Sequence, residues 1–151
     1  MIDVSAQRLD LLSRHGNTLL SWPVSTSRYG IGTREGSFMT PPGRFIIGEK
    51  IGNGEPPWTI FKGRVSTGHT AQPGGSEDLI LSRILWLEGM DAENKNSRER
   101  YIYIHGTNQE ELIGTPVSHG CIRLRNDHIV DLYDRVEVGT AVIIKLGESI
   151  S

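Results

Sequence analysis

The stretch from Tyr101 to Leu124, YIYIHGTNQEELIGTPVSHGCIRL, gathers two histidines, His105 and His119, and the only cysteine of the chain, Cys121. Gly106 follows the first histidine and Gly120 precedes the cysteine. A thiolate attacks acyl carbons well and a neighbouring imidazole can take the thiol proton, so the pattern points to a cysteine acyltransferase or hydrolase. Acyl transfer also needs donors for the oxyanion and a group that recognises the substrate. Gly120 has no side chain to obstruct a substrate, which lets the N–H groups of Gly120 and Cys121 form an oxyanion hole. His105, at an expected strand end beside the small Gly106, is placed to act as base. If residues 121 to 124 are extended, Cys121 and Arg123 share a face while Ile122 and Leu124 turn into the core. A guanidinium two residues from the nucleophile suits a carboxylate.

Duller readings exist for each residue. A single cysteine is most often a small buried hydrophobe. His105, His119 and Cys121 are also the ligand types of a zinc site, but side chains two apart in a strand run parallel rather than converge, so neither a metal nor a cofactor is expected. His15, His69 and His128 stand alone and read as solvated or structural. Arg123 and Arg125 can be surface charges, and Tyr101 and Tyr103 can simply alternate on a sheet face.

The elements that must position this segment are mostly strands. Residues 4 to 12 and 17 to 24 are apolar-rich runs joined by a tight turn at His15, Gly16 and Asn17. From Tyr29 to Gly54 glycine and proline recur, which leaves Phe45 to Ile47 as one strand in a loop. Residues 55 to 78 read as a long loop forming a wall of the site. Leu79 to Leu87 is a buried strand, Gly89 to Arg100 an exposed turn or insertion, and Tyr101 to Ile104 a strand leading to His105. Ile129, Leu132, Tyr133 and Val136 recur at helical spacing, with Asn126 as the cap and Gly139 past the end. Thr140 to Leu146 closes the chain as a strand. The sum is a mainly β domain with one helix in a single unit.

At 151 residues, one such domain can bury a core. The 16 basic residues are outnumbered by 18 acidic ones and form no run, which argues against nucleic acid as a partner. No apolar run is long enough for a membrane span. The opening MIDVSAQRLDLL lacks the pattern of a secretory signal. The expectation is therefore a cytoplasmic protein, or a periplasmic one from which a leader has been removed.

Taken together, Ile104-His105-Gly106-Thr107, Gly114, Pro116, Ser118-His119-Gly120-Cys121-Ile122-Arg123-Leu124, Asn126 and Gly139-Thr140-x-Val142 closely resemble the YkuD-type L,D-transpeptidase domain. Val24-Ser25-Thr26, Thr40-Pro41-Pro42-Gly43-Arg44-Phe45 and Ser82-Arg83-Ile84-Leu85-Trp86-Leu87 extend the resemblance over nearly the whole chain. The resemblance implies a β-sandwich-like fold and peptidoglycan stem peptides as substrate, with carbapenem-type β-lactams as acylating inhibitors. It implies Cys121 as nucleophile and His105 as base oriented by the Gly106 carbonyl. His119, Gly120 and Cys121 would line the oxyanion hole, with Ser118 as supporting hydroxyl and Arg123, Tyr103 and Thr107 as substrate-binding candidates. The sequence departs from the family in two places. Only 12 residues separate His105 from Ser118, a short spacing that implies a small lid, and Arg123 stands where some members have asparagine. Water as acyl acceptor would make the protein an L,D-carboxypeptidase releasing D-Ala from tetrapeptides in murein recycling, and an amine would make it a cross-linking transpeptidase. An inactive murein-binding module would have no use for a base beside a thiol.

Overall fold

The computed structural model describes residues 1–147. It is mainly β with a single α-helix, as expected. In chain order the strands are β1 (Ile2–Asp3), β2 (Arg8–Leu12), β3 (Thr18–Pro23), β4 (Gly43–Ile51), β5 (Thr59–Lys62), β6 (Val65–Thr70), β7 (Ile80–Gly89) and β8 (Tyr103–Gly106). A 3-10 turn, Glu110–Leu112, precedes β9 (Ile122–Leu124), the helix α1 (Asn126–Arg135) and β10 (Ala141–Lys145). The strands join in one sheet of order β3-β2-β1-β10-β4-β7-β5-β6, with β8 bonded to β7 and β9 bonded to β8.

The longest strand, β7, is the spine. Its run of Leu and Ile residues is buried throughout Leu81–Leu87 except at Trp86, the signature of a strand covered on both faces. It pairs antiparallel with β4, β5 and β8. The main core lies between this sheet and α1, whose Ile129, Leu132 and Tyr133 pack with Leu85, Leu87, Ile104, Ile122 and Leu124. Lys50 ties the helix end to β4 by donating from Nζ to the carbonyls of Tyr133 and Val136, at 2.8 Å each. A cation there satisfies orphan carbonyls and complements the helix dipole.

Several local expectations change. Of the first run, residues 4–12, only Arg8–Leu12 is strand, and residues 4–7 are a turn that follows the short β1. The strand at Phe45–Ile47 is longer, Gly43–Ile51, because it lies along most of β7. Residues 55–78 are not structureless: they contain the β5–β6 hairpin, hidden from sequence by the polar composition of VSTGHT. Residues 89–100 are not a purely exposed insertion, since Asn94 and Ser97 are fully buried. Asn94 donates to the carbonyls of Pro42 and Arg44 and so fastens this connection under β4.

Asn126 is the first residue of α1 rather than its cap, and its neighbour Arg125 makes no side-chain cap bond. Its backbone N–H is satisfied instead by the Glu110 carboxylate at 2.7 Å. The Asn126 side chain, fully buried, donates to the Thr107 carbonyl at 2.7 Å and accepts from the Ser82 hydroxyl at 2.6 Å. The helix start, β7 and the end of β8 thus meet on one amide. Gly106 makes that approach possible, because a Cβ there would lie 2.4 Å from Asn126 Oδ1 and 2.8 Å from the Leu81 carbonyl. Replacing Asn126 by alanine strands the Thr107 carbonyl and the Ser82 hydroxyl in the core. The Asn126→Ala protein should lose about 2–4 kcal/mol of stability, seen as a lower urea midpoint at unchanged slope.

Candidate active site

Two-residue alternation on β8 and β9 assembles the site. The two strands pair in parallel, Ile104 beside Ile122, His105 beside Arg123 and Gly106 beside Leu124. Ile102, Ile104, Ile122 and Leu124 enter the main core, so Tyr103, His105, Cys121 and Arg123 must face the other way. On that side Tyr103 packs in a smaller cluster with Phe61 and Ile84, against which Cys121 is half-buried.

The turn that delivers Cys121 is braced by polar groups. Ser118 Oγ donates to the Cys121 carbonyl at 2.7 Å and accepts from the Gly120 N–H at 3.3 Å. Thr40 Oγ1 donates to the Gly120 carbonyl at 3.0 Å. Gly120 itself has φ +123°, and the Met39 carbonyl would lie 3.3 Å from any Cβ there. Glycine meets both demands. From the other side Ser25 exchanges both backbone hydrogen bonds with Arg123, and the Ser118 N–H donates to the Thr26 carbonyl at 2.9 Å. Thr26 is in turn fixed by the buried Gln7, which accepts from its N–H at 3.0 Å and donates to its hydroxyl at 2.8 Å. The Val24-Ser25-Thr26 segment is therefore the floor on which the cysteine turn rests.

His105 and Cys121 sit in a poorly hydrated setting. His105 is almost fully buried, with Nδ1 2.6 Å from the Gly106 carbonyl. A carbonyl only accepts, so Nδ1 carries the hydrogen and Nε2 keeps its lone pair for a proton. Burial holds the imidazole below its ordinary pKa, against the opposing pull of the Gly106 carbonyl and of Asp78. Burial also pushes the Cys121 thiol up to about 11, with Asp78 adding to the rise and the Tyr103 N–H, Arg123 and Arg100 opposing it. Cys121 Sγ lies 3.4 Å from the Tyr103 N–H and 3.3 Å from the Tyr101 carbonyl. The resting pair is thus neutral thiol and neutral imidazole. Any bond formed by the sulfur would therefore require the thiol proton to leave.

The other expected site residues spread around this centre. Arg123 is buried and bonded on both terminal nitrogens, Nη2 to Asp78 Oδ2 at 2.8 Å and Nη1 to Gln109 Oε1 at 3.1 Å, while its Nε has no partner. His119 is half-exposed, with Nδ1 3.6 Å from the same Asp78 oxygen and its ring between Tyr29 and Phe38. The Tyr103 hydroxyl accepts from Arg64 Nη1 at 3.1 Å. Thr107 is fully buried and its hydroxyl accepts the Gln109 N–H at 3.0 Å, which makes it part of the turn after His105.

Three neighbours escaped the sequence reading. Asp78 joins Arg123 to His119, and its only signal was a carboxylate in a loop expected to wall the site. Asn108, three residues after His105, staples residues 74–79 to the site by donating to the carbonyls of Gly74 and Glu77 and accepting from the Leu79 N–H. Arg64, at the tip of the β5–β6 hairpin, lies over the rings of Trp86 and Tyr101. Nothing in the local sequence marks a hairpin tip as reaching Tyr103, Trp86 and Tyr101.

A family model described as the L,D-transpeptidase catalytic domain, YkuD, matches residues 1–144. The chain belongs to the YkuD family. It is 37% identical over 117 residues to the putative L,D-transpeptidase YqjB of Bacillus subtilis, covering 77% of this chain and 57% of that protein. It is 29% identical over 144 residues to the probable L,D-transpeptidase YcfS of Escherichia coli, covering 95% of this chain and 42% of that protein. The YkuD chain here therefore spans only about half the length of these curated relatives. Among solved structures, an L,D-transpeptidase from Mycobacterium smegmatis shares the fold, with a TM-score of 0.61 at 24% identity over 95% of this chain and 56% of that one. The structure of LdtMt1 in complex with imipenem gives 0.57 at 22% identity, again over 95% and 56%.

For this YkuD domain the neutral resting thiol has a direct consequence. With the thiol at about 11, alkylation of Cys121 by iodoacetamide should be slow at pH 7–8 and climb until about pH 11, because only the thiolate reacts. A rate that levels off below pH 9 would show a preformed thiolate instead.

Proposed function

We propose that this domain is an L,D-carboxypeptidase that uses Cys121 to release terminal D-Ala from peptidoglycan tetrapeptides. The observation that carries the reading is the common face of β8 and the start of β9, on which lie both Cys121 and His105, whose Nδ1 is held by the Gly106 carbonyl. In the first half-reaction the thiol proton passes to His105 Nε2 as the sulfur bonds to the carbonyl carbon of the third residue. The resulting oxyanion lies against the Cys121 N–H, since the Gly120 N–H is already donated to Ser118 Oγ. Collapse of the tetrahedral adduct breaks the C–N bond, and the proton held on His105 goes to the departing D-Ala amine. In the second half-reaction water loses a proton to His105, adds to the thioester, and expels the sulfur, which recovers its proton. The cytoplasm, where released tetrapeptides are recycled, is the setting that this reading implies.

Water as acceptor is favoured by the 12 residues between His105 and Ser118. Asn108 and Gln109 are committed to stapling residues 74–79, and Glu110–Leu112 to a 3-10 turn under Ser25 and Asn126. Only residues 113–117 remain after these, a short piece for a lid that orders an amine and excludes water. One observation favours the transpeptidase reading: the β5–β6 hairpin brings Arg64 onto Tyr103, Trp86 and Tyr101 beside the thiol, and such a wall can shelter an acceptor amine.

Mass analysis of a disaccharide-tetrapeptide incubated with the enzyme decides between them. The expected products are disaccharide-tripeptide and free D-Ala even with excess D-methionine present. Predominant exchange product or cross-linked dimer would assign the transpeptidase activity. Cys121→Ala should abolish turnover and the mass adduct of imipenem, the ligand of the related LdtMt1 structure. His105→Ala should cost about a hundredfold or more in kcat. Near wild-type turnover in the folded Cys121→Ala protein would remove Cys121 as nucleophile.

A further inference from the structure

The charged and titratable groups acting on Cys121 and His105 come from four places. Asp78 belongs to the β6–β7 connection, Arg100 to the β7–β8 connection, Arg123 to β9, and Tyr103, through its backbone N–H, to β8. Asp78 is the carboxylate among them. Its position does not depend on a flexible side chain finding a partner, because the backbone on either side is fastened. Asn108, almost fully buried, donates from Nδ2 to the Gly74 carbonyl at 2.8 Å and to the Glu77 carbonyl at 2.9 Å, and accepts from the Leu79 N–H at 3.2 Å. The Gly74 N–H returns a bond to the Asn108 carbonyl at 2.7 Å. From this braced strap Asp78 Oδ2 reaches Arg123 Nη2 at 2.8 Å and His119 Nδ1 at 3.6 Å.

We propose that Asp78 is a positioning residue for the acyl-transfer centre, one that fixes the Arg123 guanidinium beside Cys121 and offsets its positive charge at the thiol and at His105. The inference rests on reading Cys121 as the reacting group, and on nothing about which peptide it attacks. Arg123 is nearly inaccessible to water, so its charge is weakly screened and the nearest counter-ion matters. Asp78 and Arg123 act in opposite directions on both Cys121 and His105. With the carboxylate gone, the uncompensated guanidinium would favour thiolate and disfavour imidazolium. A merely structural ion pair would predict loss of stability without that directed change in the thiol.

The test is the pH profile of Cys121 alkylation by iodoacetamide, read by intact mass, for wild type, Asp78→Asn and Asp78→Glu. Asp78→Asn should move the rise to lower pH and raise the rate at pH 8 about tenfold, and Asp78→Glu should return the profile toward wild type. Arg123→Gln, which removes the cation instead, should move the rise to higher pH. This second variant keeps the question open to decision if Asp78→Asn folds poorly. Coincident profiles for wild type and either neutral variant, with folding verified by near-UV circular dichroism, would overturn the proposal. Alkylation needs no stem peptide, so failure of the tetrapeptide assay and failure of this test are separate results.

Discussion

The parallel register of β8 and β9 is the constraint on which the site depends. Ile104 beside Ile122, with Ile102 and Leu124 to either side, places four large apolar side chains in the core. Each is worth about 1.5–3 kcal/mol of burial. A slip of one residue on β9 would send Ile122 and Leu124 to the cleft and draw Cys121 and Arg123 into that core. Cys121 and His105 are therefore placed by the hydrophobic demand of their neighbours, and no direct attraction between thiol and imidazole is needed to hold them.

That placement leaves many polar groups away from water, and apart from a few atoms such as Arg123 Nε the structure answers them with partners rather than with solvent. Ser25, Thr26, Thr40, Asn108, Ser118 and Asn126 are all essentially inaccessible, and each makes at least one side-chain or backbone hydrogen bond to another part of the chain. Individually such bonds add about a kcal/mol, whereas losing one partner costs more. Their larger effect is to leave the Cys121 turn a single geometry. The same exclusion of water disfavours both the thiolate and the imidazolium, so rigidity of the turn and neutrality of the resting pair have one cause.

The features that were legible in the sequence are those with a local period or a compact motif. The alternation at Cys121-Ile122-Arg123-Leu124 correctly gave the two faces of β9, and the spacing of Ile129, Leu132, Tyr133 and Val136 gave the helix. The β5–β6 hairpin was not legible because β6 has no buried face to impose an apolar alternation. Asn126 looked like a cap because its type suits one, but the position is decided by Glu110 and Gly106, which only the fold brings near. Asn94, Asn108 and Asp78 are polar residues in segments rich in other polar residues. Their roles come from partners 29 or more residues away, and no pattern within a short window carries that information.

Arg123 shows how far spacing alone can be taken. Two-residue spacing put its guanidinium on the face of the thiol, yet bidentate capture of a substrate carboxylate needs a pair of N–H groups directed at one ligand. Both terminal nitrogens are already engaged, by Asp78 and by Gln109, and the remaining Nε donor is buried without a partner. A carboxylate that took the place of Asp78 would exchange one carboxylate for another and so gain little in charge pairing. What it can add is the bond that Nε lacks, since a buried unpaired donor costs about 1–3 kcal/mol. Recognition at this position would then be driven less by the charge of the substrate than by whether its geometry lets one oxygen reach Nε while the Asp78 strap, fastened by Asn108, stays in place.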